Sequence, residues 1–442
     1  MSHNQWQTSL RERISYGLSD GADNLVFQVM TTYLLYFYTD IYGLTAGEVG
    51  TLFLIARFAD VIESVIIGIM IDHTHSKYGH SRPFFLWYAF PYVIVAALTF
   101  VVPPFNHMGK LFWAYLTYLL LGFFYSAVNL PITSILPSLT DNPREITLLG
   151  VIRQFFGQTS QIIVAIFTLP LIALFGGKDQ QKGFLLTIIV FAVISLILII
   201  NTFVHVRERI AMPKPASFKD TLKMMGRNKP WLVLSIVIFL YWVTTSIKNQ
   251  TTIYYFKYNL KAENLVPVVN AFTAAALIGI VAIPFVTRKY SNKVTMMVGL
   301  IIATMGQLLI IAGAEWTHSL SVLFVGTFVN TIGSGMVIAL VSIMVSDTIK
   351  YAQRQFHVEA SGLLASTDDF GVNLGLGIGG LITAGLLAQT GYVANHSQNS
   401  ATLHMITINY AWIPLAAYLL MIFILALYNQ RHVQQVITKN ER

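Results

Sequence analysis

Long apolar runs separated by short polar connections make up most of the chain. A transmembrane helix needs about 20 mainly apolar residues, and twelve runs reach that length. They cover residues 14–40, 46–72, 83–104, 109–137, 146–176, 182–205, 230–256, 264–287, 292–313, 318–347, 357–390 and 402–429. The pattern therefore predicts an all-α integral membrane protein with twelve transmembrane helices.

The longest polar connection separates the first six predicted spans from the last six. It runs from His205 to Pro230, and its prolines and basic residues favour a hinge. We therefore predict an N-terminal six-helix half at 1–206, a central cytoplasmic loop at 207–229 and a C-terminal six-helix half at 230–442. This is the layout of the major facilitator fold, in which substrate binds at the midplane between two pseudo-symmetric halves.

Composition supports the membrane assignment. The chain is 55% hydrophobic and 11% charged, whereas a soluble domain carries about 25% charged residues. The absence of cysteine excludes disulfides, thiolate metal sites and cysteine nucleophiles.

The distribution of basic residues predicts the orientation. Twenty of the 28 Lys and Arg residues fall on one side of the predicted spans, five on the other and three within spans. The positive-inside rule therefore places both termini and the central loop in the cytoplasm. The net charge of +8 thus reflects topology, so we expect the lipid bilayer and not a nucleic acid as the partner.

Ionisable and amide side chains interrupt several of these spans. Each charge at a helix centre costs roughly 2.5–3.5 kcal/mol on insertion scales. The polar positions are Asp20, Asp23, Asn24, Arg57, Asp60, Glu63, Ser64, Asn129, Arg153, Lys248, Asn249, Asp368, Asp369 and Asn373. The i,i+3 spacing of Arg57 and Asp60 fits a structural pair, but for the whole set a wet cavity or a proton path is favoured.

Other chemistries are weakly represented. His73, His75 and His80 lie in a short polar turn without a carboxylate cage, so we predict no metal site. The small residues of "GVNLGLGIGG" fit close helix packing better than a nucleotide loop. No catalytic constellation is present, so we predict no enzymatic activity and no cofactor. A few aromatic residues could stack on a sugar ring, namely Phe27, Tyr125, Trp242 and Tyr255.

Four segments together resemble one transporter family. They are "YLLYFYTDIYGLTAGEVGTLFLIARFADVIESVIIGIMIDHTHSKYGHSRPF", "NLPITSILPSLTDNPRE", "TIYYFKYNL" and "SDTIKYAQRQFHVEASGLLAS". The chain resembles the glycoside–pentoside–hexuronide cation symporters of the major facilitator superfamily, in order from about residue 14 to 390. The resemblance implies a bacterial sugar or glycoside carrier, driven by H⁺, Na⁺ or Li⁺, that works by alternating access.

The chain matches the family's span-two motif only in part. In members of the melibiose permease type, an Arg is followed by an Asp and, four residues later, by a second Asp that completes the cation site. Arg57 and Asp60 match this motif, Ser64 replaces the second Asp, and Glu63 stands where that type has Asn. The span-eleven Lys near the cation site corresponds to Asn373. Loss of one carboxylate and one ammonium together suggests a rewired site.

The sugar-binding positions carry over with similar changes. The family's span-one and span-four Asp residues correspond to Asn24 and Asn129, Asp23 stands where the permease type has Lys, and the span-five Arg is kept as Arg153. Asn supplies both donor and acceptor for hydroxyls, and Arg can fork two neighbouring hydroxyls. The predicted substrate-binding residues are Asp23, Asn24, Asn129, Arg153, Lys248 and Asn373. Arg153 and Lys248 would also suit a hexuronide carboxylate, so the sugar class stays open.

The predicted coupling residues favour H⁺ over Na⁺. Na⁺ needs several oxygen ligands, whereas H⁺ needs one buried carboxylate. The candidates are Asp60, Glu63, Ser64, Asp368 and Asp369. Glu63 has no cationic neighbour one turn away, so we predict it as the coupling acid, with Arg57–Asp60 as a structural pair.

Several alternatives stay open at this point. They are Na⁺ coupling, exchange of one sugar for another, transport of a lysolipid, and a sensor that binds sugar without transporting it. We expect a monomer in the plasma membrane. Asp72, Lys77 and Arg82 flank the turn before span three and are predicted, with Arg57, to form a structural charge network. Replacing Asp72 or Arg82 by Ala should slow transport and change binding only a few-fold.

Overall fold

The computed structural model of the protein describes residues 6–140, 142–210, 227–356 and 361–438. Within some of these helices it describes the backbone alone, at positions 61, 72, 143, 144, 147, 342, 346, 349, 353, 356 and 361–370. The described residues are helical apart from turns, caps and an isolated bridge between Ser76 and Gly79. The chain divides into two compact units, residues 1–213 and 214–442.

The first unit is built from eight described helices. They are α1 (Leu10–Tyr36), α2 (Ala46–His73), α3 (Arg82–Trp87), α4 (Ala89–Thr99), α5 (His107–Ser134), α6 (Leu136–Leu139), α7 (Pro143–Gly176) and α8 (Gln180–His205). α1 continues into a π-helical turn, Phe37–Tyr42.

Side-chain caps fix the starts of the long helices in this unit. The hydroxyl of Ser9 accepts the amide of Glu12 at the start of α1. Thr45 and Glu48 form a reciprocal capping box before α2, and Asn106 caps α5. These caps satisfy amides that lack a partner in the first helical turn, each stabilising its helix by about 1 kcal/mol.

Glycines let α1 approach α7 closely. A Cβ added at Gly17 would lie 2.5 Å from the Ile152 side chain, and one at Gly21 would lie 3.1 Å from Ser160 Oγ. The close approach matters for function because it brings the polar residues of α1 next to those of α7.

The second unit contains nine described α-helices. They are α9 (Lys229–Tyr254), α10 (Val266–Ala271), α11 (Ala276–Thr287), α12 (Asn292–Ile311), α13 (Leu320–Phe356), α14 (Ser361–Gln389), α15 (Ser400–Thr407), α16 (Ile413–Ala426) and α17 (Gln430–Thr438). π-Helical turns extend α9 and α12 and join α15 to α16, at Tyr255–Asn259, Ala312–Trp316 and Ile408–Trp412.

Backbone-to-backbone packing at glycines also holds the second unit together. A Cβ at Gly306 would lie 2.2 Å from the Asn330 amide nitrogen, so α12 and α13 touch through their backbones. Gly375 and Gly379 of α14 face α9 in the same way, with Cβ positions 2.8 Å from the Phe239 carbonyl and 2.5 Å from Ser246 Cβ. The small residues of "GVNLGLGIGG" therefore serve helix packing.

Among the described residues, nine helices are long and apolar enough to cross a membrane. The predicted first and second spans correspond to α1 and α2, which carry acidic and basic residues along their length. The predicted third span is divided at Tyr88 into α3 and the 11-residue α4. The count of twelve spans stays a prediction.

Candidate functional site

α1 and α7 share a polar surface at the level of Asp20. The Asp20 Oδ1 atom lies 3.7 Å from Arg153 Nε. Asn24 Nδ2 donates to the Asp20 carbonyl at 2.8 Å and to its carboxylate at 3.3 Å. Gln161 Nε2 approaches Asn24 Oδ1 at 3.4 Å. One turn of α1 thus places an acid and an amide against an arginine and an amide of α7.

Gly157 provides the space for the Asp20 carboxylate. A Cβ at this position would lie 2.2 Å from Asp20 Oδ2 and 3.4 Å from Asn24 Nδ2. Arg153 is held from its other side, where Nη1 donates to the Thr133 hydroxyl at 3.1 Å. The arginine is therefore positioned by α1 and α5 together.

Asp23 faces a different neighbour from Asp20. Its side chain is fully buried, and Asn129 Nδ2 of α5 donates to Asp23 Oδ2 at 2.7 Å. The Tyr92 hydroxyl of α4 donates to the Asp23 carbonyl at 3.3 Å. Two of the predicted substrate-binding residues, Asp23 and Asn129, therefore bind each other between α1 and α5.

A second group of charges joins α2 to α5. Arg57 Nη1 lies 2.9 Å from Asp60 Oδ2, and Arg57 Nη2 donates to the Tyr118 hydroxyl at 3.1 Å. Both charged side chains are largely shielded, with 15% of Arg57 and 25% of Asp60 exposed. The arginine is shared between a carboxylate of its own helix and a phenol of the next.

Glu63 points toward the same part of α5. A Cβ at Gly122 would lie 3.0 Å from Glu63 Oε2 and 3.2 Å from Asp60 Oδ1. The Glu63 Oε2 atom is buried without a hydrogen-bond partner among the described residues, and Ser64 beside it is exposed. Asp60 and Glu63 thus converge on a glycine that leaves them room.

Each of the four aromatic residues predicted to stack on a sugar packs against another aromatic ring. Phe27 and Tyr125 lie 4.7 Å apart with an interplanar angle of 17°. In the second unit Tyr255 is buried and stacked on Tyr410 at 4.5 Å, and Trp242 meets Tyr241 edge to face. Because Tyr410 covers one face of its ring and the side chain is buried, this arrangement does not support stacking of a sugar on Tyr255, which stays a prediction.

Lys248 lies at the centre of a polar cluster in the second unit. Its Nζ donates to Gln307 Oε1 at 3.3 Å and to Asn330 Oδ1. Backbone carbonyls orient both amides: Gln307 Nε2 donates to the carbonyls of Tyr410 and Ala411 at 3.2 and 2.9 Å, and Asn330 Nδ2 donates to that of Ala303 at 2.7 Å. The amide oxygens are therefore fixed on the ammonium. Among the described residues, no carboxylate forms an ion pair with it.

The other predicted positions of the second unit lie on α14. Asn373 is half-buried, on the segment of α14 that packs against α9. The side chains of Asp368 and Asp369 lie outside the described residues, as does that of Asp72 at the end of α2.

The turn between α2 and α3 is organised by a carboxylate that follows α8. Glu208 accepts the backbone amides of His80, Ser81 and Arg82 at 2.8–2.9 Å. Arg82 Nε donates to the Phe203 carbonyl at 2.7 Å, and Lys77 is exposed with its Nζ 5.0 Å from the centre of the Tyr78 ring. A carboxylate at the amino end of a helix also interacts favourably with the helix dipole.

Two further anchors secure this end of the first unit. Arg209 forms a two-pronged contact with Glu12 of α1, both distances being 2.7 Å. Glu145, fully buried at the start of α7, accepts hydrogen bonds from Gln7, Thr8 and Thr140 and lies 3.3 Å from Arg13. Burial alone would raise the pKa of Glu145, but the hydrogen bonds from Thr8, Thr140 and Gln7 lower it to about 2. Glu145 is therefore ionised at neutral pH.

Comparison with known proteins assigns the family. A family model described as "MFS/sugar transport protein" matches residues 15–430. The chain belongs to this family of membrane transporters. It is 39% identical over 412 residues to the isoprimeverose transporter of Lactiplantibacillus pentosus, covering 92% of this chain and 86% of that protein. It is 31% identical over 438 residues to an uncharacterised symporter of Bacillus subtilis (strain 168), covering 97% and 94%.

A solved structure shows the same fold at lower sequence identity. A mutant of the nucleoside transporter NupG is 16% identical to this chain, with a TM-score of 0.67 over 96% of this chain and all of that one. The predictions of a major facilitator fold and of a glycoside–pentoside–hexuronide transporter are thus confirmed. As a member of the MFS/sugar transport family, the chain is a multi-pass membrane transporter and not an enzyme.

The sequence did not predict the roles of several site residues of this MFS/sugar transporter. Gly122 and Gly157 give room to the carboxylates, Tyr118 binds Arg57, and Glu208 organises the turn before α3. Gly157 carried a usable signal, because the polar residue Gln158 follows it, whereas Gly122 lies between the apolar residues Leu121 and Phe123 and carried none. Tyr118 and Glu208 carried none, since their partners are 61 and 126 to 128 positions away.

Proposed function

We propose that this chain takes up a sugar or glycoside across the bacterial plasma membrane together with H⁺, by alternating access. The family and the named relatives support sugar transport. The observation that carries the proposal is the polar turn of α1 against α7. Asp20 and Asn24 lie one turn apart on α1, and Arg153 of α7 lies 3.7 Å from Asp20. Together they offer the hydrogen-bond acceptors and donors that a molecule rich in hydroxyls requires.

Within this site the residues have different tasks. Arg153 offers a planar, charged donor whose two arms match neighbouring hydroxyls, and Asn24 can both donate and accept. Lys248 and Asn373 of the second unit stay predicted substrate-binding residues. The isoprimeverose transporter at 39% identity supports a pentose-containing glycoside as the first substrate to test.

Glu63 is our candidate for the coupling acid. Asp60 is neutralised by Arg57 at 2.9 Å, whereas among the described residues no ion pair reaches Glu63 and its Oε2 lacks a hydrogen bond. A carboxyl in that position gains most from binding a proton. Ser64 and Asn129 stand where transporters of the melibiose permease type have carboxylates, which leaves fewer charged oxygens for the ligand shell of Na⁺ and favours H⁺.

The test uses purified protein in vesicles with an imposed pH or Na⁺ gradient. We expect the pH gradient alone to drive accumulation of labelled isoprimeverose. Glu63→Gln should abolish this accumulation and preserve sugar exchange at equal concentrations, because exchange needs no net proton movement. Thr51→Val, on the same helix, controls for insertion and orientation. If Glu63→Gln still concentrates the sugar, the coupling role passes to Asp60.

A second candidate substrate class is favoured by one observation. The Lys248 ammonium is held by neutral amides and has no carboxylate partner among the described residues, so it could receive the carboxylate of a hexuronide. A labelled glucuronide in the same assay separates the two classes. Accumulation driven only by Na⁺, sugar exchange without accumulation, binding without transport, or uptake of lysolipid instead of sugar would each select one of the remaining alternatives.

We further propose that both termini are cytoplasmic and that the transporter acts as a monomer. The absence of native cysteine makes the first point testable with single cysteines placed at either end of the chain. A membrane-impermeant thiol reagent should label neither in intact cells and both after permeabilisation. The mass in nanodiscs checks the second point.

A further inference from the structure

Asp23 differs from Asp20 and Asp60 in having no arginine in an ion pair with its carboxyl group among the described residues. Asp20 lies 3.7 Å from Arg153, and Asp60 lies 2.9 Å from Arg57. The carboxyl group of Asp23 accepts a hydrogen bond from the Asn129 amide, its Oδ1 atom is buried, and the hydroxyl groups of Tyr92 and Tyr125 face it.

Among the described side chains, the groups that face Asp23 supply no positive charge. They are Asp20 on its own helix, Tyr92 on α4, and Tyr125 and Asn129 on α5. Arg153 of the neighbouring α7 lies against Asp20 instead. An ionised carboxylate in these surroundings would be buried, uncompensated and close to a second acid. Such a group holds a proton in place of a charge.

A protonated acid can make the Asn129 contact as well as a carboxylate can. The amide donates to Oδ2 at 2.7 Å, so in the protonated form Oδ2 is the carbonyl oxygen and Oδ1 carries the proton. The pair is then a neutral acid–amide link between α1 and α5, adjacent to the turn that presents Asp20 and Asn24 to α7.

This link should persist through the transport cycle. Alternating access in this class of fold is largely rigid-body rocking of one half against the other. Asp23, Asn129, Tyr92 and Tyr125 all belong to the first compact unit, so rocking leaves the contacts among them unchanged.

We propose that Asp23 stays a neutral carboxylic acid throughout transport and acts as a positioning residue, clasping α1 to α5 through Asn129 so that Asn24 and Asp20 face the substrate. This inference rests on the proposed function, since it names the group that orients its sugar site. It also assigns Asp23 a role different from direct substrate binding and from proton coupling.

The first test compares isosteric replacements of Asp23 in nanodiscs. Asp23→Asn keeps a neutral acceptor for Asn129, so sugar affinity should stay within about threefold and H⁺-driven accumulation should persist. Asp23→Leu has a similar shape without an acceptor and should weaken binding by about tenfold or more, because the Asn129 amide is left unpaired. Asp20→Asn is the matched control: the same change one turn away breaks the contact with Arg153 and should weaken binding.

The second test reads the protonation state directly. The infrared difference spectrum between the wild type and Asp23→Asn should show the carbonyl band of a protonated carboxylic acid at neutral pH, with and without sugar. A carboxylate band in its place overturns the proposal, as does an Asp23→Asn variant that exchanges sugar without concentrating it. Absence of sugar binding by the wild type would instead overturn the proposed function.

Discussion

The two units of the transporter hold their charges in opposite ways. In the first unit, Arg57 lies against Asp60 and Arg153 against Asp20, so each arginine meets a carboxylate. In the second unit, the ammonium of Lys248 meets the amide oxygens of Gln307 and Asn330. A carboxylate neutralises its partner, whereas an amide only solvates it.

Because of this difference, removing a charged side chain should have different consequences in the two units. Removing one member of an ion pair leaves the other charge in a low-dielectric environment without compensation. Removing a charge that only neutral groups surround leaves no charge behind, although it leaves acceptors to be satisfied. Mutations in the first unit should therefore act mainly through the charge that remains, and mutations at Lys248 through hydrogen bonds alone.

The largest effect is expected at Arg57. Arg57→Ala leaves the Asp60 carboxylate without its cation and the Tyr118 hydroxyl without its partner. We therefore expect a loss of about 3 kcal/mol in the free energy of unfolding. The apparent melting temperature in detergent measures it. The double variant Arg57→Ala/Asp60→Ala should recover part of the loss. Equal melting temperatures for the wild type and the single variant would contradict the expectation that the ion pairs make the first unit more sensitive to the loss of a charge.

A smaller loss is expected for substrate affinity at Arg153. Arg153→Ala removes charged hydrogen bonds to the sugar and leaves Asp20 without its cation, so binding should weaken by more than about 1.5–3 kcal/mol, which is at least tenfold. Calorimetry with isoprimeverose measures the affinity. Arg153→Lys keeps the charge and loses the forked geometry, so its sugar affinity should lie between those of the wild type and of Arg153→Ala. Unchanged affinity in Arg153→Ala would move the sugar site elsewhere.

The glycines beside the carboxylates should show a moderate effect. Gly157→Ala would place a Cβ 2.2 Å from Asp20 Oδ2, so the carboxylate must move away from Arg153. We expect a destabilisation of about 1–2 kcal/mol and weaker sugar binding.

Gly150→Ala is the matched control on the same helix, because nothing lies within 4 Å of its added Cβ. Gly122→Ala, whose Cβ would lie 3.0 Å from Glu63 Oε2, should disturb proton coupling more than sugar binding. If Gly157→Ala and Gly150→Ala behave alike, the space beside Asp20 has no functional importance.

The sequence predicted the fold and the charged positions because both follow from local patterns. Apolar runs of sufficient length located most helices, and the spacing of Arg57 and Asp60 on one helix anticipated their contact. The division of the third span at Tyr88 was not predicted, although Pro91 has no amide hydrogen to bond to the carbonyl of Trp87, the last residue of α3.

Contacts between distant segments could not be predicted in the same way. The Asp23–Asn129 bond joins residues 106 positions apart, and Lys248 contacts residues 59 and 82 positions away. Asn and Gln occur in many kinds of position, so nothing in the local sequence identifies Gln307 and Asn330 as partners of a lysine. The family resemblance aligned single positions and left the pairing among them undetermined.

The smallest effect is expected at Lys248, and it is the sharpest test of the contrast between the units. Lys248→Gln removes the ammonium and keeps donors for the oxygens of Gln307 and Asn330, so the free energy of unfolding should change by less than about 1 kcal/mol. Lys248→Met leaves both oxygens without a donor and should cost more, about 1–2 kcal/mol. A loss in Lys248→Gln as large as that in Arg57→Ala would mean that the ammonium has an anionic partner after all. If the protein transports a hexuronide, both variants should lose that substrate and retain neutral glycosides, because only the acidic sugar needs the charge.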